Sequence, residues 1–310
     1  MVRKDEATRF APRDLGAWGL RLLALGALLL GGCRAPSART ESFHLDVPPE
    51  ATVFAVDIRN FNGSVELRAN SRREDVRIES RLIVDGKIKD PLRQALVDDV
   101  ALHAAVEEED GRAVLRIAAD SPRAERQDHF LDLYVEVPRI DGVMIENRGG
   151  DVVVVNGSGS TRVNNIGGAI EIRTSRPMTE PVTLTNVDGN IYYQVPPGST
   201  GLLDLETLEG ECAVKDLVGD TSQTYGTRKV QSSKVGSGDN PVVCRTNRGD
   251  IRVWIREDPV ALTRVWKKTP PDFRDQLFLK GSRRYTRNLP EDHPEVQARR
   301  RMEPEDSVHH

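Results

Sequence analysis

No stretch of this 310-residue chain reaches the ~20 consecutive apolar residues that a membrane-spanning helix needs. The longest, Leu22 to Leu30, is less than half that. Basic residues are not in excess: after residue 32 there are 39 Lys and Arg against 45 Asp and Glu, a formal charge of −6. That excludes the concentrated basic face of a nucleic-acid binder. Six histidines, at 44, 103, 129, 293, 309 and 310, show no metal-ligand spacing apart from the terminal pair. Glycine-rich strings such as Gly157 to Ser160 lack the Lys-Ser/Thr of a phosphate loop and its strand-to-helix setting. No Ser-His-Asp order can be argued from the sequence. Aromatics are only 5% of the chain, and cysteine occurs three times. Val, Ile, Thr and Gly recur between polar turn residues, which is the composition of an all-β protein.

The first cysteine has a clear context. Arg3, Lys4, Arg9, Arg13 and Arg21 precede the apolar run, which ends at Leu30, Gly31, Gly32 and Cys33. A charged segment, a short apolar segment and small residues at the cut make a secretory signal. Leu30 three places before Cys33, with two glycines between, resembles the bacterial lipobox. The resemblance implies cleavage before Cys33 and a covalent lipid on its thiol, with several acyl chains where one alone would anchor marginally. Arg34 is not the aspartate that favours inner-membrane retention in enteric bacteria, so the outer membrane is favoured. Residues 1–32 are therefore expected to be a lipoprotein signal peptide. Residues 33–42, polar and containing proline, are expected to be a flexible linker.

One pattern then repeats. Ile145, Asn147, Gly150, Val152 and Val154 return as Val163, Asn165, Gly168, Ile170 and Ile172. They return again as Leu184, Asn186, Gly189, Ile191 and Tyr193, as Leu205, Thr207, Gly210, Cys212 and Val214, and as Cys244, Thr246, Gly249, Ile251 and Val253. An early copy holds Ile58, Asn60, Gly63, Val65 and Leu67. Apolar residues at period two face a core, and the glycine permits the positive φ of a tight turn. Each copy is strand, turn, strand. Glycine spacings of 18, 21, 21 and 39 predict a β-solenoid with ~20 residues per rung, and a degenerate rung near Lys229, Val230 and Gln231 fills the long gap. The alternative is an antiparallel β-sandwich of hairpins. In a stack, Asn147, Asn165, Asn186, Thr207 and Thr246 lie over one another as a structural ladder, because buried amides must find partners. Cys212 and Cys244 occupy core positions of copies about two strand spacings, or ~9.6 Å, apart if the extra rung exists. That exceeds the ~7 Å reach of a disulfide, so both are expected to be small core hydrophobes.

A β-rich region spans 43–140, with alternating residues at Val76–Val84, a hairpin around Glu107 to Gly111 and a short helix over Asp90–Val97. The repeat region spans 141–257, and a charged tail spans 258–310, whose first turn, Ala261–Lys268, is expected to be a capping helix. Leu133 to Pro138, then Val143 to Asn147 and the glycine-centred copies, resemble the bacterial "putative adhesin" family of β-strand repeat proteins of unknown function. The likeness covers about residues 43–256. It implies a solenoid-like fold and a secreted or membrane-tethered location, and it brings no catalytic residues. Arg248, Gly249 and Asp250 spell a cell-attachment tripeptide but read as a repeat turn. Asp151, Glu211 and Asp250, each following a turn glycine, read as turn charges rather than a calcium site.

The functional expectation is a lipid-anchored, extracytoplasmic scaffold or adhesin-like binding module of the cell envelope. It is not an enzyme, has no metal or cofactor beyond the lipid on Cys33, and has an envelope protein or polysaccharide as partner. The alternatives are a carbohydrate-active enzyme on a β-helix and an envelope-sensing partner protein.

Overall fold

A computed structural model of the chain describes residues 38–46, 54–85, 87–109 and 112–261. Cys33, the signal segment, residues 33–37 of the expected linker and the tail from residue 262 lie outside the described residues, and so does most of the expected helix at Ala261–Lys268; residues 38–42 of that linker belong instead to the first strand.

The first part of the chain builds β1 (Ala38–Leu45), β2 (Phe54–Asn60), β3 (Val65–Ala69), β4 (Val76–Val84), helix α1 (Asp90–Asp98), β5 (Ala101–Glu109), β6 (Arg112–Asp120) and β7 (His129–Val137). Strand pairs follow: β8 (Ile140–Asn147) with β9 (Val152–Val155), β10 (Thr161–Gly167) with β11 (Ile170–Arg173), β12 (Val182–Asp188) with β13 (Ile191–Val195), and β14 (Gly201–Glu209) with β15 (Cys212–Asp216). A hairpin, β16 (Thr221–Gly226) and β17 (Val230–Val235), precedes the last pair, β18 (Pro241–Arg248) and β19 (Ile251–Ile255).

These strands form two large mixed sheets. One has nine strands in the order β1-β4-β7-β3-β9-β11-β13-β19-β15, and the other has ten in the order β16-β17-β14-β18-β12-β10-β8-β2-β6-β5. The fold is all-β, and its two-layer arrangement fits the sandwich alternative, with one difference. The repeat strands pair in parallel: β8, β10, β12, β18 and β14 in one sheet, and β9, β11, β13, β19 and β15 in the other. Antiparallel pairing is confined to the flanks, at β1–β4–β7, β5–β6 and β14–β17–β16.

The period-two pattern explains the layers. In each copy the apolar positions before and after the turn point into the space between the sheets. Ile58, Ile145, Val163, Leu184, Leu205 and Cys244 on one side meet Val65, Val152, Ile170, Ile191, Cys212 and Ile251 on the other, in one buried cluster. Each fully buried aliphatic side chain contributes about 1.5–3 kcal/mol, so this cluster is the main source of stability. The expected short helix is present as α1, with Pro91 in its first turn and Leu96 buried. The expected hairpin is β5–β6.

The degenerate rung is not there. β18 pairs directly with both β12 and β14, and β19 with both β13 and β15. The Gly249 copy therefore sits between the Gly189 and Gly210 copies, and Val230 belongs to the hairpin that covers β14 at the end of the ten-stranded sheet. The 39-residue gap measures an excursion and not an extra rung. Cys212 and Cys244 are free thiols buried on facing sheets. Burial pushes their pKa values up, to about 11 and about 12 respectively. Their separation by two rungs does not hold, since their copies are neighbours. The Gly63 copy, too, is placed out of chain order, with β2 and β3 between the β6–β7 and β8–β9 pairs.

Candidate functional site

The turns between the sheets are where the sequence pattern is most regular. In register, Asn60, Asn147, Asn165, Asn186, Thr246 and Thr207 form one buried column. Only Asn147 and Asn165 bond side chain to side chain, at 3.1 Å. Four members reach a turn carbonyl of the adjacent rung: Asn165 Nδ2 to Gly150 O at 3.1 Å, Asn186 Nδ2 to Gly168 O at 2.7 Å, Thr246 Oγ1 to Gly189 O at 3.0 Å and Thr207 Oγ1 to Gly249 O at 2.8 Å, while Asn60 Nδ2 donates to Leu131 O of β7 at 3.0 Å. The column clips each turn to the next.

The glycines beside it stack equally closely. A Cβ on Gly150, Gly168, Gly189, Gly249 or Gly210 would lie under 3.0 Å from backbone of the neighbouring turn, and one on Gly63 equally close to the Leu131 backbone at the start of β7. Gly189 also has φ +144°, whereas Gly210 has no positive φ, and close approach alone requires glycine there. The residues after these glycines continue the clip. Asp151 Oδ1 accepts the Ala169 N–H at 2.7 Å, and Asp250 Oδ1 accepts the Glu211 N–H at 3.1 Å. Glu211 pairs with Arg228 at 3.2 Å. No group of three or more metal-ligating side chains occurs among the described residues. Arg248 donates to Asp188 at 2.8 Å and Asp250 accepts from Arg252 at 2.8 Å, so the cell-attachment tripeptide is spent on the turn.

One constellation that sequence reading missed is Ser121, Asp128 and His129, in the connection from β6 to β7. Ser121 Oγ lies 2.9 Å from His129 Nε2, and His129 Nδ1 lies 3.2 Å from Asp128 Oδ1. The residues are those of a catalytic triad, but the setting is structural. The His129 ring is 0% exposed and packs against Phe61 at 5.2 Å between centroids. Burial lowers its pKa. Asp128 is also held by Arg126, and Ser121 Oγ accepts the Arg123 N–H at 3.2 Å. The three side chains lock a connection.

The outer face of the nine-stranded sheet carries different chemistry. Register aligns two rows across it. The first runs Tyr134, Glu66, Val153, Glu171, Tyr192, Arg252, and the second Glu136, Arg68, Val155, Arg173, Gln194, Trp254. Aromatic, guanidinium, carboxylate and amide groups thus sit side by side on one β surface.

Part of this face is covered. After β19 the chain turns back: Arg256 N–H bonds Val195 O at 3.0 Å, Pro259 is buried, and Val260 arrives beside Arg68 and Val155. Near this return Arg173 is 1% exposed. It pairs with Glu171 at 3.1 Å, yet its Nε and Nη1 make no hydrogen bond. Burial pushes the Glu171 pKa up and the Arg173 pKa down. Gln194 Nε2 donates to Glu171 Oε1 at 3.4 Å.

Beyond this return the face opens into a cavity of ≈300 Å³ lined by Arg68, Ala69, Asn70, Tyr134, Glu136, Val155, Asn156 and Val260. Tyr134 donates its hydroxyl to Glu136 Oε1 at 2.8 Å. Burial and that carboxylate raise the phenol pKa. The other Glu136 oxygen lies 3.6 Å from Arg73 and 3.7 Å from Arg77. Arg68 pairs with Glu66. Asn70 Oδ1 accepts the Arg72 N–H at 3.2 Å. Asn156, held at φ 59°, accepts from Ser175 N–H at 3.1 Å and Oγ at 3.0 Å. Both amides have spent their oxygens on the protein. Sequence reading singled out none of these residues as a site, because they face away from the core; Tyr134 and Glu136 entered only as part of the Leu133 to Pro138 strand signal.

No protein-family model matches the chain, and no curated relative matches its sequence. Among solved structures it is similar to a "putative cell adhesion protein" from Clostridium sporogenes, at 12% identity over 71% of this chain and 100% of that one, with a TM-score of 0.52. It also matches a "putative adhesin" from Bacteroides fragilis, at 11% identity over 71% and 99% of the two chains, with a TM-score of 0.25. The first likeness is one of fold.

Proposed function

We propose that this chain is an adhesin-like binding module of a bacterial cell envelope, working by surface contact and not by catalysis. The observation that carries this reading is the outer face of the nine-stranded sheet. Its aligned aromatic and charged rows end in an open polar cavity, while the opposite face of the same strands is packed into the core. A rigid β surface with mixed polar and aromatic groups suits recognition of an extended ligand. The fold likeness to a protein described as a "putative cell adhesion protein" supports the same class. The turn-to-turn clips favour reading the parallel stack as a solenoid whose rungs are the ~20-residue repeats.

In this reading the mature chain begins at Cys33, carries lipid there and stands outside the cytoplasm, with the outer membrane favoured by Arg34. The partner is an envelope protein or polysaccharide. Crosslinking on intact envelopes followed by pull-down tests the module directly. Recovery of a reproducible partner, reduced by charge-reversing changes at Glu66 and Arg252, supports it. Capture that ignores those changes overturns the assignment of the face.

A further inference from the structure

Resting on the module reading, we infer that the cavity between β3, β7 and residues 156 and 260 is a subsite for an acetamido sugar unit of a glycan. Its volume of ≈300 Å³ lies at the small end of small-molecule pockets, where one or two hexose units fit. The chemistry of its wall narrows the class. Asn70 and Asn156 each use their side-chain oxygen inside the protein, and neither NH₂ group makes a hydrogen bond with any of the described residues. Arg68 adds a guanidinium already neutralised by Glu66, and Glu136 is neutralised by Arg73 and Arg77. Arg73 and Arg77 also hold Asp75 and Glu79, so the site offers unspent donors with no excess of positive charge, which suits a neutral acceptor better than an anion. An amide carbonyl is such an acceptor.

The apolar corner matches the remainder of that group. Val155, 2% exposed and outside the core cluster, stands beside Ala69 and Val260. A methyl group of an acetamido substituent would sit against them while its carbonyl takes the amide donors. The Tyr134 ring gives a partly buried aromatic surface, on which the apolar face of a pyranose can rest. A plain hexose keeps the ring contacts but offers the two donors only hydroxyl oxygens, weaker acceptors than an amide carbonyl, and brings no methyl to the apolar corner, so discrimination rests on the acetamido group.

The test uses the purified full chain in detergent and two disaccharides, N,N′-diacetylchitobiose and cellobiose, read by saturation-transfer NMR and titration. Diacetylchitobiose is expected to bind with a Kd on the order of 1 mM, and cellobiose roughly tenfold or more weakly, the worth of one hydrogen-bonded group. Asn70→Ala and Asn156→Gly are each expected to weaken diacetylchitobiose about fivefold or more. Glycine is chosen at 156 because it tolerates the positive φ. Arg162→Ala, on the outer face of the other sheet, is expected to change nothing. Equal binding of the two sugars, no binding of diacetylchitobiose, or insensitivity to both asparagine changes overturns the inference. Competition by sodium phosphate as strong as by the sugar also overturns it, because the cavity would then be an anion site. If sugar binding fails while envelope crosslinking persists, the glycan assignment falls and the module reading stands. Loss of both removes both.

Discussion

At the scale of single residues, the glycine column states two separate requirements that a strand-turn-strand pattern merges. Gly189→Ala meets both a left-handed backbone and the carbonyl of the turn below, whereas Gly210→Ala meets only the second. Both are expected to destabilise the fold by about 2 kcal/mol or more, with Gly189→Ala the worse by roughly 1 kcal/mol of backbone strain. Gly167→Ala, whose Cβ would find its nearest neighbour at 3.8 Å, is the neutral control. Thermal melting of the three variants checks the ranking. Asp151 gives a pH test. Burial, reinforced by the nearby Asp132 charge, raises its pKa. The folded chain therefore holds that proton more tightly than the unfolded one does, and stability falls as pH rises from the ordinary carboxylate range, near 4, through the raised value. Asp151→Asn keeps an acceptor for the Ala169 N–H and removes the charge. It is expected to raise the melting temperature at pH 7, with the gain shrinking toward pH 3–4, as melts across that range will register.

At the scale of elements, the hairpin β16–β17 closes a ladder that β14 would otherwise leave open over Gly201–Glu206. Removing residues 221–235 exposes that edge beside Leu202 and Leu208, both more than half exposed already. Unpaired edges recruit other chains, so the deletion is expected to convert a monodisperse species into higher oligomers by size-exclusion chromatography with light scattering. This is also the scale at which the sequence was most and least legible. Strands such as Val76–Val84, the turn glycines and the Asn/Thr column could be read directly, because period-two burial and turn chemistry are local. The order of the rungs could not. Each copy is nearly the same to its neighbours, so nothing local states that β18 belongs between β12 and β14. The spacing of 39 was therefore read as a missing rung. The candidate site was illegible for a related reason: Arg68, Asn70, Tyr134, Glu136 and Asn156 meet only through that long-range pairing, on a face whose residues obey no burial rule.

At the scale of the whole molecule, the module reading ties a two-sheet body to an anchor five residues ahead of its first strand. Cys33→Ser is expected to abolish metabolic lipid labelling and shift the protein from the membrane fraction to the soluble one. Unchanged retention without label would remove the anchor, leaving the surface described above to be presented in some other way. The displaced position of the Gly249 copy has a kinetic meaning as well. Residues 201–216 cannot dock on the stack when they are first made, since the strands they rest upon, Pro241–Arg248 and Ile251–Ile255, come last. The early Gly63 copy faces the same delay, waiting for strands about 60–90 residues downstream to close on both its flanks. Assembly thus cannot zip from one end of the chain to the other. The Gly63 rung is bracketed by later-arriving chain, and the Gly249 rung arrives last between copies already made, which makes the final segment the keystone of one end of the body and holds completion of that end until Ile255 is available.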